Sequence, residues 1–554
     1  MQKHLLLTTV MAMAFGNMAW GQYRSEVWCP DQMDGTYVNP VINADYSDPD
    51  VICVGDDYYL TASSFNCMPG LPILHSKDLV NWEIIGHALY SQFPGAAKPE
   101  HGNGVWAPCL RYHDGWFYIY WGDPDRGVLM VRTQDPAGRW EPPVLVVEGK
   151  GIIDTTPLWD DDGRCYLANG WAGSRCGFNS VLTVRELSAD GTRAISPPAI
   201  VFDGGNQHHT TEGPKFYKRD GWYWIFCPAG GVATGWQLAM RSRSPWGPYE
   251  WRRVMDQGAT NVNGPHQGAW VQTPRGEHWF LHFQDKGAYG RVVHLQPMKW
   301  LSSGWPVIGE DPDGDGCGQP VMRWRKPDID FQKQNGGKAG IVNPAENDEF
   351  NQPMLGKQWQ WHADYQEHFG MPTANGTLRL YTHRLESGNL WDAPNLLLQK
   401  TPADQFTATA KLTLAAKADR QYGGLVMMGR DYQALVACRE GDRFLLQLLT
   451  GKDADKGKPH VAQTLATLPA THHPPPITHH PAIYLTLYIR ARVDNGQCQF
   501  SYSTDGETFV DAPQAFTMRE GKWIGAKIGF VAEESNEKGN RGWVEADWIR
   551  FRNI

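Results

Sequence analysis

Asp48, Asp154 and Glu212 stand far apart in the chain, yet each holds the same place in a recurring pattern. Each precedes a glycine-bearing turn that opens an aromatic strand: Asp48 by seven residues before Gly55, Asp154 by nine before Gly163, and Glu212 by nine before Gly221. Trp106 precedes Gly115 by nine in the same way, and His266 precedes Gly276 by ten. In a radial repeat, equivalent positions occupy equivalent places, so three carboxylates, a Trp and a His would point into one central pit. Carboxylates set apart around a pit can divide acid–base work. An ionised one activates a water, and a protonated one delivers its proton to a leaving oxygen. Each residue also has a plainer reading. Asp48 and Asp50 flank Pro49 and could shape a turn; Asp154 could be a solvated strand end, and Glu212 a loop acid.

The elements that must carry these residues are strands. Short aromatic and β-branched runs are punctuated by Gly, Asp and Asn, and no long helical period occurs. VGDDYYLTAS from Val54, YHDGWFYIYWG from Tyr112, WDDDGRCYLANG from Trp159, YKRDGWYWIFC from Tyr217 and TPRGEHWFLHF from Thr273 repeat one pattern. Their marker glycines are spaced by 60, 48, 58 and 55 residues. Repeats of about 40–50 residues or slightly more, each a turn plus aromatic strands, predict the blades of a β-propeller. Five copies predict five blades. From about 305 the composition turns rich in Gly, Asp, Pro and Lys, after which strands resume without the aromatic markers. YIRARVDNGQCQFSYS predicts a hairpin around Asp494-Asn495-Gly496. The predicted order is a signal peptide (1–21), a five-bladed propeller (22–325), a linker (326–345) and an antiparallel, jelly-roll-like β-sandwich (346–554). The fold class is all-β.

The local signatures are Tyr46-Ser47-Asp48-Pro49-Asp50, Gly151-Ile152-Ile153-Asp154, Thr211-Glu212-Gly213-Pro214 and Gly264-Pro265-His266-Gln267-Gly268. In this order and register the propeller half resembles glycoside hydrolase family 43, and the C-terminal half resembles the concanavalin-like sandwich that many members append. The resemblance implies an enzyme acting on xylose- and arabinose-containing polymers, with Asp48 as general base, Glu212 as general acid and Asp154 raising the pKa of that acid and orienting it. It also implies substrate contacts from Phe65, Trp106, His266 and Arg291. Phe65 and Trp106 could instead be core aromatics, Arg291 a surface residue, and His266 a core hydrogen-bonding group or part of a central water or Ca²⁺ shell. An inverting glycosidase needs its two carboxyls about 6.5–9.5 Å apart to admit a water, a spacing that different blades can supply. The segment ASSFNCMPGLPILHS resembles the pocket-closing wall of exo-acting members. The expected activity is exo-hydrolysis of terminal β-D-xylose, α-L-arabinofuranose or both from hemicellulose oligosaccharides, with a slight lean to β-xylosidase. Two alternatives are an α-L-arabinofuranosidase acting on side chains and a propeller lectin without catalysis. A retaining enzyme of related fold would carry Asn where this chain has Ser47.

Composition narrows the partners. A net charge of −9 disfavours nucleic acid, whose phosphates require a basic face. Lys3 and His4 precede an apolar run from Leu5 to Phe15, and Ala19-Trp20-Gly21 is a small-x-small site. This reads as a cleavable leader cut near Gly21/Gln22 rather than a membrane span, which predicts a secreted or periplasmic protein. Most of the ten cysteines lie in apolar strand-like runs and read as buried free thiols, with Cys165 and Cys176 the first pair to check. No cofactor is expected for catalysis and no metal at the site. Structural Ca²⁺ is left open where Asp348-Glu349-Phe350 could meet Asp547. Asp311 to Gly316 begins like a calcium loop but has Met322 at its twelfth position, where Glu is required. The His pairs of THHPPPITHHP lie in an extended, proline-rich stretch and read as solvated loop.

Overall fold

The computed structural model describes residues 23–329, 340–471, 482–535 and 540–554. The predicted leader, part of the predicted linker and the paired histidines 472, 473, 479 and 480 lie outside these residues.

The first half forms five four-stranded antiparallel sheets, each made of four consecutive strands. Blade 1 runs from Asp50–Val54 to Trp82–Leu89, blade 2 from Trp106–His113 to Val144–Glu148, and blade 3 from Ile152–Trp159 to Ala199–Asp203. Blade 4 runs from Lys215–Arg219 to Glu250–Met255, and blade 5 from His266–Gln272 to Pro306–Ile308. Pro306–Ile308 is thus the outer strand of a blade, although its surroundings read as linker in composition. The two-residue period of a strand explains the packing. Phe117, Ile119 and Trp121 face blade 1, whereas Tyr118 and Tyr120 on the same strand face blade 3. Likewise Ile225 and Cys227 face blade 3, whereas Trp224 and Phe226 face blade 5. Blades with apolar residues on both faces leave one hydrophobic seam per neighbour, so they close into a ring.

Among the described residues no strand is shared between the first and last blades. The ring is clasped instead by Thr36–Val38, paired antiparallel with Arg323–Arg325. Asn39 Nδ2 donates to the Leu295 and Val321 carbonyls at 2.8 Å each. The Lys326 ammonium, 5% exposed, bridges Asp31 at 2.6 Å and Asp78 at 2.7 Å. The same N-terminal stretch reaches the second half of the chain. Ser25 Oγ donates to Glu346 at 2.5 Å, and Glu26 pairs with Arg552 at 3.1 Å.

The second half packs two eight-stranded sheets face to face. In Gln405–Ala416 the sequence FTATAKLTL alternates, sending Phe406, Ala408, Ala410, Leu412 and Leu414 into the core. The predicted hairpin forms between Ile483–Asp494 and Gln497–Ser503, with Asn495 and Gly496 both at positive φ, as a two-residue turn of right-twisting strands demands. The sandwich is not wholly antiparallel, because His383–Arg384 pairs parallel with Lys527–Glu534. All ten cysteines, Cys165 and Cys176 included, are unpaired thiols. Among the described residues no helix is long and apolar enough to cross a membrane.

Candidate active site

The five residues singled out by register all fall at the heads of innermost strands. Trp106 and His266 are first residues of theirs, Asp154 is third in its strand, and Asp48 and Glu212 stand just before Asp50 and Lys215. A backbone device recurs with them. Asp48, Ala107, Asp154, Gly213 and Gln267, one per blade, all have left-handed φ, between 30° and 56°. In blades 2, 3 and 5 this residue lies within a break in ladder register. Such a bulge turns the chain out of the sheet and re-aims the side chains at the pit. A non-glycine residue held there costs about 1–2 kcal/mol, which the surrounding packing must offset.

Asp48, 4% exposed, is gripped on both oxygens. Ser63 Oγ donates to one at 2.5 Å, and Arg291 Nη1 to the other at 3.2 Å. Ser63 Oγ in turn accepts from the Ala107 amide at 2.8 Å, tying blade 1 to blade 2. Asp154, 5% exposed, accepts from the Gly213 amide at 2.8 Å, which fixes it beside Glu212. Gly213 has φ +52°, and a Cβ there would meet Pro228 Cδ at 2.8 Å and Gln267 Cγ at 3.1 Å, so only glycine fits.

Electrostatics then separates the carboxyls. Burial, followed by the charges of Asp154 and Asp48, pushes Glu212 up to about 8, against a smaller opposing pull from Arg291. Burial and Asp48 also raise Asp154, while the Gly213 amide, Lys215 and Arg291 oppose the rise. Glu212 is therefore a carboxylic acid that keeps its proton at neutral pH. Beneath them Asp50, fully buried, is held by Arg111 at 3.0 Å and Lys215 at 3.5 Å. Burial raises its pKa, but Lys215 and Arg111 outweigh that and hold it low. This knot joins blades 1, 2 and 4 at the axis.

The pit encloses about 390 Å³ and is lined by Asp48, Asp154 and Glu212 together with Phe65, Trp106 and Arg291. Phe65 and Trp106 meet edge to face, ring centres 6.3 Å apart. His266 does not line it. Its ring is 1% exposed behind the wall, Nε2 against the Gly231 carbonyl at 3.0 Å, and burial lowers its pKa to about 4. The neighbouring Gln267 faces the pit instead.

Sequence reasoning missed Trp171, Asn179, Thr210 and, above all, Trp523, which also line the pit. Trp523 comes from the sandwich, at the third position of a turn closed by Gly521 N donating to the Ile524 carbonyl at 2.8 Å. Its φ is +67° and it is 46% exposed. The ring stands edge-on to Trp106 at 6.2 Å and 5.9 Å from the Arg291 guanidinium carbon. The turn is pinned by Asp45, which accepts from Arg291 N and from Gly525 N at 2.9 Å each, and by Ala526 N donating to the Ala288 carbonyl at 2.7 Å. An exposed Trp in a left-handed turn is a weak functional signal in sequence, because nothing local says which surface it meets.

Among the described residues no group of three His, Cys, Asp or Glu is arranged to hold a metal ion. The carboxylates considered for Ca²⁺ have protein partners of their own: Asp348 with Trp359 Nε1 at 2.8 Å, Glu349 with Arg550 at 2.7 Å and Asp547 with Lys411 at 2.5 Å. Asp311 caps its own turn, accepting from Gly314 N and Gly316 N.

Residues 37–306 match the glycosyl hydrolases family 43, and residues 347–552 match the β-xylosidase C-terminal concanavalin A-like domain. A Xylanibacter ruminicola protein provisionally named β-xylosidase is 37% identical over 90% of this chain and 86% of its own. A β-xylosidase of Formosa agariphila is 30% identical over 94% and 91%, and a non-reducing end α-L-arabinofuranosidase of Bacteroides ovatus is 31% identical over 79% and 81%. The crystal structure of xylan β-1,4-xylosidase from Bacillus halodurans superposes with a TM-score of 0.80 over 93% of this chain and all of that one, at 22% identity, a likeness of fold. With propeller and sandwich both accounted for, the chain belongs to glycosyl hydrolase family 43.

Proposed function

We propose that the pit removes single pentoses, β-D-xylose in preference to α-L-arabinofuranose, from the non-reducing ends or branches of hemicellulose oligosaccharides, with inversion at the anomeric carbon. The observation that carries this reading is the pairing of a gripped, solvent-shielded Asp48 with a Glu212 whose pKa is raised to about 8. Asp48 takes a proton from a water as its oxygen bonds to the anomeric carbon. Glu212 gives its proton to the leaving oxygen as the glycosidic bond breaks. The products are a free pentose and the shortened glycan. Asp48 then holds a proton and Glu212 a charge, and exchange with solvent resets both. Asp154 raises the pKa of Glu212 by its charge and positions it through Gly213. Trp106 and Phe65 offer ring faces to the sugar, and Arg291 bonds to Asp48 and to sugar hydroxyls.

A pit of this size with aromatic walls suits a terminal sugar rather than the middle of a polymer. The lean to xylose is supported by relatives named β-xylosidase that align over at least nine-tenths of the chain. The arabinofuranosidase alternative has a relative of its own at 31% identity. The chain is read as exported, secreted or periplasmic, on the strength of its Lys3-to-Gly21 leader. Hydrolysis of the 4-nitrophenyl glycosides of both pentoses, with the product anomer followed by NMR, tests the reading. Release of either sugar in inverted form is expected. Release of neither by folded protein, or a retained anomer, would overturn it.

A further inference from the structure

Trp106 opens the innermost strand of blade 2, and the stretch before it has little structure of its own. Glu100 to Gly104 contains two glycines and belongs to no strand or helix. The indole leans on this stretch, its Nε1 donating to the Gly102 carbonyl at 2.9 Å. The wall from blade 3 is also a loop. Ala172, Gly173, Ser174 and Asn179 line the pit from the connection after Cys165–Trp171, which holds a single helical turn, Gly173–Cys176.

One side chain joins the two. Arg175 reaches from that helical turn to blade 2, and every nitrogen of its guanidinium has a partner. Nε donates to Asp125 at 3.0 Å. Nη2 donates to the side-chain oxygen of Asn103 at 2.9 Å and, less closely, to Asp125 at 3.4 Å. Nη1 donates to the hydroxyl of Ser174, a lining residue, at 2.9 Å. The guanidinium carbon also lies over the Trp106 ring, 5.8 Å from its centre, within reach of a cation–π contact. Asp125 sits in the turn between Trp116–Asp123 and Gly127–Thr133, a firm edge of blade 2. The planar fork thus ties the blade 3 loop to that edge and to the glycine-bearing stretch at once, which a single ammonium could not do.

Magnitudes separate a structural role from a positioning one. The side chains of Arg175 and Asp125 are 22% and 34% exposed, and an ion pair so open to water contributes little to folding. The same bonds hold two loops whose side chains face the sugar, where a shift of about 1 Å is enough to weaken binding and slow turnover. Arg175 itself is not among the residues lining the pit. We propose that Arg175 is a positioning residue, which sets the pose of the bound sugar by holding Trp106 and the shared rim of blades 2 and 3. The proposal rests on the pentosidase reading of the pit, in which Trp106 offers a ring face to the sugar.

The test is a double-mutant cycle of Arg175→Ala and Trp106→Ala on whichever 4-nitrophenyl pentoside the wild type hydrolyses. Arg175→Ala is expected to raise KM about fivefold, with kcat changed less than about twofold and both limbs of the pH–rate profile in place. Trp106→Ala alone should raise KM about tenfold, and adding Arg175→Ala to it should cost less than about twofold more. Asn103→Ala leaves the pair with Asp125 whole and should raise KM about two- to threefold, a second route if Arg175→Ala folds poorly. Effects of Arg175 and Trp106 that multiply, a fall in kcat with KM unchanged, or a wild-type KM in both the Arg175 and Asn103 variants would overturn the positioning role alone. Wild-type protein that hydrolyses neither pentoside would overturn the pentosidase reading, and the role of Arg175 with it.

Discussion

The pit has walls of two kinds. The propeller side is built five times over from one position, the head of an innermost strand, where a left-handed residue turns the chain inward in every blade. The sandwich side is one turn, Gly521 to Ile524, present once and aimed by contacts with a distant part of the chain. Repetition makes a site redundant in backbone and free in side chain, so Asp, Trp, Asp, Glu and His occupy equivalent heads. A wall made once has no such support, and its strained, half-exposed Trp523 depends on Asp45 and the Ala288 carbonyl. On the proposed reading, chemistry sits on the repeated wall and fit on the single one.

That division can be broken or sharpened by substitution. Glu212→Gln and Asp48→Asn should each lower kcat by about a thousandfold or more, the upper range for loss of an acid or base. Circular dichroism should show the fold unchanged, and near-wild-type turnover by either would remove the chemistry from the repeated wall. Asp154→Asn should cost about tenfold in kcat and move the alkaline limb of the pH–rate profile downward by about one unit. The direction follows because that limb is the loss of the Glu212 proton, and a neighbouring negative charge now raises its pKa. A limb that stays put would make Asp154 purely structural.

The sandwich wall should respond differently. Trp523→Ala is expected to raise KM about five- to tenfold with kcat nearly intact, matching loss of roughly 1 kcal/mol of ring contact. A fall in kcat with KM unchanged would mean that the sandwich takes part in the chemistry. The smallest effect is on stability. Glu212 has a folded pKa near 8 against an ordinary 4.5, so its contribution to stability is full below 4.5 and is lost as pH rises toward 8. Glu212→Gln lacks that loss and should melt higher than wild type at pH 8, by a few degrees, with a smaller gain at pH 5. Calorimetry at the two pH values gives the comparison.

The same contrast explains what the sequence could tell. Marker glycines at blade-sized steps give the propeller, and offsets of seven to nine residues upstream give Asp48, Trp106, Asp154 and Glu212, because radial symmetry turns spacing along the chain into position in space. His266 obeys the register yet lies behind the wall, its Nε2 against the Gly231 carbonyl, and Gln267 takes its place in the lining. Which of two adjacent residues at a bulge reaches the pit is not something spacing along the chain resolves. Trp523 and Asp45 are separated by most of the chain, and no local pattern announces their meeting. Ser63 and Lys215, which steady the carboxylates, look in sequence like any polar residue beside a strand.

The clasp of Thr36–Val38 on Arg323–Arg325 has a consequence for how the protein is made. The first strand of that pair precedes the entire propeller in the chain and its partner follows it. The seam between the first and last blades, where Val51 and Leu60 meet Ala269 and Leu281, therefore joins segments more than 200 residues apart and is completed only after blade 5 has been made. Because Ser25 and Glu26 also fasten to Glu346 and Arg552, the stretch that completes the ring is tied to the opposite terminus as well. A nick near residue 40 would therefore do more than trim an end: it would release the fastener of the ring and one of the ties holding the sandwich. Tyr37, Asn39, Val41 and Ile42 are all at most 3% exposed, so the completed ring shields its own fastener from such a cut.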